Sequence, residues 1–134
     1  MIKVNFGSGP FPHEGWINVD LDVACRPDVV ADLGAGTGYF TRRLAKAVAP
    51  SGQVYAVDIQ PEMIDFLKRS IEKAGLTSVV PVLGTGDDPK LPRDALDWIL
   101  LVDVYHELQQ PKAVLARMRE ALKPKGRIAL VEYR

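Results

Sequence analysis

The sequence predicts an α/β fold: a mostly parallel sheet with helices on both faces and an antiparallel strand pair at a sheet edge. Three observations carry this. From Val29 onward, short apolar runs alternate with stretches of helical periodicity. Strands separated by helices are joined by crossovers and so run parallel. The runs are almost continuously apolar, as in Ile99 to Val102 and Ile128 to Val131, and a strand without a polar side is one covered on both faces. The first 23 residues alternate instead. Ile17, Val19, Leu21 and Val23 share one side; Trp16, Asn18, Asp20 and Asp22 share the other. That is the pattern of a strand with one wetter face, typical of antiparallel pairing.

The elements follow in order. "MIKVNF" and "WINVDLDV" read as a hairpin-like pair within residues 1–23. Their connection, "GSGPFPHEG", is rich in turn residues and too short for a crossover helix. An edge position suits the pair, because charge is tolerated there. "DVVADLG" opens the parallel part, and "YFTRRLAKAVA" has helical spacing at Phe40, Leu44, Ala47 and Val48. "GQVYAVDI" is the second run. The helix "PEMIDFLKRSIEKAG" follows, with Pro61 in its first turn, an apolar face of Ile64, Leu67 and Ile71, and Gly75 as its stop. "SVVPVLG" and "LDWILLVDV" are the third and fourth runs. "QPKAVLARMREALKPKG" reads as a helix with Pro111 early, Val114, Leu115, Met118 and Leu122 inward, and Pro124 and Gly126 at its end. "RIALVEY" closes the sheet. One domain over 1–134 is expected, with a strand pair at 1–23 and a ligand-binding core at 28–134.

Composition narrows the function. Lys plus Arg and Asp plus Glu number 17 each. A net charge of zero gives no basis for nucleic acid or an anionic membrane as the main partner. The single cysteine, Cys25, excludes an internal disulfide and a cysteine-rich metal site; no metal is expected, and a reducing cytoplasm fits. No charged-then-apolar leader and no membrane-length apolar run occur. His13, in the first loop, has no partner that the sequence suggests.

Two glycine loops compete for a ligand. Asp20 follows Gly7 by 13 positions, which leaves no room for a helix; Asp58 follows Gly34 by 24, room for a loop, a helix of about three turns and a return strand. Only the second unit can set a helix N-terminus beneath a ligand and an acid at the tip of the next strand. Gly34, Gly36 and Gly38 would let the backbone turn sharply and approach the ligand closely. Asp58 would accept both hydroxyls of a ribose. The first loop reads as architecture.

The glycines run G-x-G-x-G, not G-x-G-x-x-G, and Tyr39 stands where the third glycine of a dinucleotide site belongs. This disfavours a nicotinamide-dependent oxidoreductase. "ADLGAGTGYF" resembles motif I of the class I S-adenosylmethionine-dependent methyltransferases, which have a Rossmann-like fold. The resemblance extends over Asp28–Arg134: "VYAVDIQPEMIDFLKR" is similar to the second motif, "VLGTGDDPKLP" to the third, "DWILLVDVYHEL" to the fourth and "LKPKGRIALVEY" to the strand that follows. It implies S-adenosyl-L-methionine as cofactor and assigns roles. Asp32 would orient the glycine loop and approach the methionine amino group. Gly34, Ala35, Gly36 and Gly38 would line the methionine part. Asp58 would hold the ribose, with Ile59 and Met63 against adenine. Asp87 would meet the adenine amine and the Asp88 backbone its ring nitrogen. Asp103 would offer its carbonyl or its side chain to the ammonium. The acids also have plainer readings: Asp87 and Asp88 as turn residues before Pro89, Asp103 as a cap.

The chemistry expected from this is methyl transfer to an unidentified small molecule, in which the protein orients the acceptor and excludes water. His106, just past the fourth strand, is the candidate general base; packing or capping is its plainer role. The chain departs from the family twice. It stops at "VEYR", where a helix and an antiparallel hairpin usually follow, and "NFGSG…GWINVDLD" resembles the cofactor loop and acid of another branch of the same superfamily. The two branches join near "PDVVADLG". Recombination, truncation and an engineered chimera all give this pattern, and a cofactor-binding fold without turnover is the alternative function. The N-terminal pair is expected to cover the open edge of "RIALVEY" antiparallel, or to make a strand-exchanged homodimer instead of a monomer.

Overall fold

The computed structural model describes residues 4–6, 17–19 and 28–132. Two short strands, β1 (Val4–Phe6) and β2 (Ile17–Val19), precede β3 (Val29–Leu33), α1 (Tyr39–Val48), β4 (Gln53–Asp58), α2 (Pro61–Lys73), β5 (Val79–Leu83), β6 (Leu96–Val102), a 3-10 turn (Tyr105–Glu107), α3 (Pro111–Ala121) and β7 (Leu122–Val131). The main sheet has five strands in the order β5-β4-β3-β6-β7. All its pairings are parallel.

The continuous apolar runs are explained by two-sided burial. Val30, Val54, Ala56, Val79 and Leu100 pack beneath α1 and α2, against Leu44, Val48, Leu67 and Ile71. The alternate residues Ala31, Leu33, Val57, Ile99 and Leu101 turn to the other face and meet Val114, Met118 and Ala121 of α3. Each Val, Leu, Ile or Met side chain among these contributes about 1.5–3 kcal/mol on burial, and each alanine methyl less. The predicted face of α2 is the one buried. On α1, Leu44 and Val48 are buried as predicted, Phe40 and Ala47 only half-buried, and Thr41 and Ala45 are buried in addition. Gly75, at φ 65°, takes the left-handed position just past the end of α2.

Two expectations are corrected. The strands β1 and β2 pair parallel, Val4 opposite Ile17 and Phe6 opposite Val19. They form their own two-stranded sheet, and among the described residues the outer edge of β7 has no partner strand. Alternation reports a one-sided burial pattern, not the direction of the neighbour. A parallel return needs only enough chain, and the ten residues 7–16 between the strands can span about 33 Å. The third helix ends at Ala121 rather than near Gly126. Leu122 is already extended (φ −76°, ψ 140°) and starts β7. Pro124 cannot continue a helix and biases Lys123 toward extended backbone. The strand absorbs the misfit as a register shift opposite Leu96 and Trp98. His13, Cys25 and the connection "GSGPFPHEG" lie outside the described residues.

Order in this sheet reverses at its centre: β4 and β5 lie on one side of β3, β6 and β7 on the other. The loops leaving β3 and β6 therefore diverge, opening a crevice at the carboxyl ends of the strands.

Candidate functional site

That crevice is a cleft of about 440 Å³, walled by the ends of β3, β4 and β6 and by the segments that follow them. Its floor is the loop after β3. The backbone at Gly34, Gly36 and Gly38 is left-handed, at φ 72°, 52° and 84°, a conformation that costs other residues about 1–2 kcal/mol. At Gly34 the need is also steric, since a Cβ there would lie 2.4 Å from Val104 Cγ2. At Gly36 a Cβ would meet nothing closer than the Gly34 carbonyl at 3.9 Å. Gly36 thus faces open space, and it lines the cleft.

Asp58 stands at the tip of β4, against this loop. Its Oδ2 accepts the Gly36 N–H at 3.0 Å and its Oδ1 accepts the Gln60 N–H at 3.0 Å. Among the described residues no ion pair involves Asp58. Two amides hold the carboxylate while each oxygen keeps acceptor capacity toward the cleft it lines. The distance from β3 to β4 is set by the backbone, where the Gly34 and Ala35 amides both donate to the Val57 carbonyl, at 2.8 and 2.9 Å.

Asp32 plays a different part. It is 2% exposed and accepts the Thr41 hydroxyl at 2.7 Å. Burial raises its pKa to about 6, the Thr41 hydroxyl and amide oppose the rise, and Asp58 adds to it. It does not line the cleft; it ties β3 to the first turn of α1, and so fixes the loop between them. Thr41 itself was not singled out by its sequence, where it reads only as a polar residue within "YFTRRLAKAVA".

The remaining candidates divide. Ile59, Met63 and Asp103 line the cleft with Gly34, Gly36 and Asp58. Ala35 and Gly38 lie under it: Ala35 is buried, and Gly38 is the N-cap of α1. Asp87 and Asp88 form a turn around Thr85. The Thr85 hydroxyl donates to Asp87 Oδ1 at 2.7 Å, and the Asp88 N–H donates back to that hydroxyl at 3.1 Å. Thr85, rather than either acid, reaches the cleft wall.

Asp103 is left-handed (φ 57°) and begins the segment that closes the cleft's far end, where Val104, Glu107 and Leu108 are exposed to it. His106 sits at the rim of this segment. Its Nδ1 lies 2.8 Å from Glu132 Oε2 and 3.6 Å from Asp103 Oδ1; its Nε2 lies 3.9 Å from Glu107 Oε1. The hydrogen bond to Glu132 is the main cause that holds His106 above the ordinary histidine range, against a smaller effect of burial. Asp103, His106 and Glu132 also offer ligand atoms within 4.8 Å of one another, a spacing that would admit a cation. Glu132 is already engaged by the Tyr105 amide and the imidazole.

Comparison with known proteins meets this geometry. Residues 30–126 match a family model described as a methyltransferase domain. An uncharacterized methyltransferase of Mycobacterium tuberculosis is 37% identical over 102 residues, covering 76% of this chain and 38% of that protein. A protein-L-isoaspartate O-methyltransferase of Pyrococcus horikoshii is 31% identical over 121 residues, covering 89% of this chain and 50% of that protein. A ubiquinone/menaquinone biosynthesis C-methyltransferase of Burkholderia vietnamiensis is 31% identical over 124 residues, covering 90% and 50%. The crystal structure of a SAM-dependent methyltransferase from Aquifex aeolicus superposes with a TM-score of 0.76 at 30% identity, covering 79% of this chain and 56% of that one. The chain spans half or less of the length of these curated relatives.

Proposed function

The chain belongs to the class I S-adenosylmethionine-dependent methyltransferases, and on that premise we propose that it transfers a methyl group to a small-molecule acceptor bound beside Asp103 and His106. Its cofactor is S-adenosyl-L-methionine, as the family and its structural neighbours support. The observation that carries the reading is the pairing of Gly36, open to the cleft, with the Asp58 carboxylate 3.0 Å from its amide. A nucleoside fits this arrangement: the loop lacks side chains where the ligand must approach, and the acid has acceptor capacity left for ribose hydroxyls. A volume of about 440 Å³ is also within the ~300–1,000 Å³ usual for such ligands.

In this reading S-adenosyl-L-methionine, when bound, would supply an electrophilic methyl group on a sulfonium whose neutral thioether is the leaving group. The protein does the rest. Gly34 and Gly36 line the methionine portion, with Ala35 and Gly38 shaping the loop from beneath, and Asp32 keeps that loop in place through Thr41. Asp58 holds the ribose, Ile59 and Met63 flank the base, and Thr85 presents the turn of Asp87 and Asp88 to its edge. Asp103 receives the ammonium. Val104 and Leu108 exclude water from the acceptor end, and His106 takes a proton from an acceptor hydroxyl or amine. A single cytoplasmic domain over residues 1–134, monomeric or strand-exchanged, completes the proposal. Among the described residues no helix is long and apolar enough to cross a membrane.

Calorimetric titration with S-adenosylhomocysteine tests the cofactor site. Micromolar binding that Asp58→Ala weakens strongly is the expected result, and no binding by the wild-type chain would reject it. A methyl-release assay then tests turnover. Its acceptor panel should include an isoaspartyl peptide and a quinone precursor, the classes that the relatives' names indicate, beside small hydroxy and amino compounds. Binding without release across the panel would favour the alternative, a recombined cofactor-binding fold with no turnover.

A further inference from the structure

We propose that Glu132 is the positioning residue of the acceptor end: its carboxylate clasps the Tyr105 amide and the His106 ring together, leaving His106 Nε2 as the proton acceptor. This rests on the role given to His106 above and extends it to a residue just past the end of β7.

The geometry is specific. Glu132 Oε1 accepts the Tyr105 N–H at 2.6 Å, and Oε2 lies 2.8 Å from His106 Nδ1. One carboxylate therefore grips both the backbone and the side chain of the turn at 105–107. Glu132 can reach there because β6 and β7 are in register, Val102 opposite Val131, and the Asp103 N–H donates to the Val131 carbonyl at 2.7 Å. The turn it holds lies between cleft-lining residues, with Asp103 and Val104 before it and Glu107 and Leu108 at its end. The Glu132 side chain is 23% exposed against 55% for His106, so the carboxylate is the more enclosed partner and the ring faces outward from it.

Chemistry fixes the tautomer. An ionised carboxylate only accepts hydrogen bonds, so Nδ1 must carry the hydrogen, and in the neutral ring the lone pair is then on Nε2. Among the described residues, the charged groups that face the ring are Glu132, Asp103 on the Nδ1 side and Glu107 on the Nε2 side. All are acidic, and together they hold the imidazole more basic than usual. The acceptor's O–H or N–H bond breaks, an Nε2–H bond forms, and the resulting imidazolium is balanced by Glu132. For a hydroxyl or an ammonium, the pair left on the acceptor would form the bond to the methyl carbon while the carbon–sulfur bond breaks and its pair stays on the thioether sulfur; a neutral amine would attack with its own lone pair and give the proton to Nε2 afterwards.

Nitrogen-15 NMR of the imidazoles tests this directly. The chain has only two histidines, His13 and His106, and His106→Gln assigns them. The wild-type chain is expected to show His106 as the Nδ1–H tautomer, titrating above the ordinary histidine range, with the Tyr105 amide proton shifted downfield. In Glu132→Gln, His106 should titrate lower, lose its tautomer preference, and release the Tyr105 amide shift. Glu132→Asp, charged but one methylene shorter, should keep part of the raised titration and lose the tautomer preference. With an acceptor from the panel, the rate should rise with pH through the His106 titration, and that rise should move to lower pH in Glu132→Gln. An Nε2–H tautomer in the wild-type chain, or a His106 signal that responds to millimolar magnesium rather than to Glu132→Gln, would overturn the proposal. Should the variants not fold, the wild-type tautomer and the Tyr105 shift decide alone. Failure of S-adenosylhomocysteine to bind, with the Glu132–His106 pair intact, would strike the cofactor reading instead.

Discussion

The two ends of the sheet use the same device for opposite purposes. At the amino end, Asp97 Oδ2 accepts the N–H groups of Asp28 and Val29, both at 2.9 Å, while Oδ1 takes Lys123 Nζ at 3.1 Å. At the carboxyl end, Asp58 likewise accepts two amides, from Gly36 and Gln60, but among the described residues it has no cation. Desolvation pushes Asp97 up, and the Val29 amide, Lys123 and the Asp28 amide outweigh it, leaving the group below its ordinary range. Asp97 is thus a completed joint between β6, β7 and the start of β3. Asp58 is held equally firmly yet left with charge and acceptor sites uncompensated beside a cleft. An acid on two backbone amides is therefore not diagnostic by itself. In the proposed reading, what would distinguish a binding acid from a structural one is the lack of a counterion among the described residues and the open space alongside.

The sharpest way to break this comparison is to remove each acid. Asp58→Ala should weaken S-adenosylhomocysteine binding by about 100-fold or more, since two charge-assisted hydrogen bonds are worth roughly 1.5–3 kcal/mol each, net of exchange with water. Its stability should fall by about 1–2 kcal/mol, as for Asp97→Ala below, because the Gly36 amide is stranded too, so the two variants separate in affinity and not in melting. Calorimetry and a melting curve on the same sample check both halves; an affinity change below fivefold would dissolve the distinction.

Asp32 tests a third arrangement, an acid enclosed with a neutral partner. Its pKa, raised to about 6 from 3.8, means that the folded chain binds the proton more tightly than the unfolded one. That contribution to stability is present at low pH and is lost as pH rises through the interval between those two values. The loss is up to about 3 kcal/mol, at 1.36 kcal/mol per pKa unit. Asp32→Asn keeps an acceptor for Thr41 and removes the titration. Urea unfolding at pH 4 and pH 7 should show the wild type losing stability relative to the variant across that interval. Parallel curves would refute the burial argument.

Much of this was legible in the chain, for reasons that mark the limit. The strands from Val29 onward announced themselves because two-sided burial demands unbroken apolar runs. The glycine loop and Asp58 announced themselves because only that spacing holds a helix. The direction of β1 against β2 was not legible, since period-two alternation is the same in both. The end of α3 was misread because Leu122 fits a helical face and a strand equally well. Thr41 and Glu132 escaped because their roles depend on partners that tertiary structure supplies. Glu132 meets a turn 26 and 27 positions away, and nothing local in "VEYR" points there. At Asp87 and Asp88 the plainer reading, turn residues before Pro89, was legible locally, and their hydrogen bonds with Thr85 form that turn.

Asp97→Ala should cost about 1–2 kcal/mol of stability by stranding the Val29 amide and freeing Lys123, and should leave S-adenosylhomocysteine affinity within twofold of the wild type. The smallest effects come from two glycines that differ only in where they face. Gly36 and Gly75 are both left-handed, at φ 52° and 65°. A Cβ would meet nothing within 4 Å at Gly75 and only the Gly34 carbonyl at 3.9 Å at Gly36. Strain is thus the shared cost of alanine at either position, about 1 kcal/mol of unfolding free energy. Chemical denaturation should find the two variants equal within error. Only Gly36→Ala places its methyl group in the cleft, so only it should lose affinity for S-adenosylhomocysteine, by tenfold or more. If Gly75→Ala loses affinity as well, the loss comes from general loosening of the sheet rather than from the floor of the cleft. Equal stability with unequal affinity locates the ligand above Gly36.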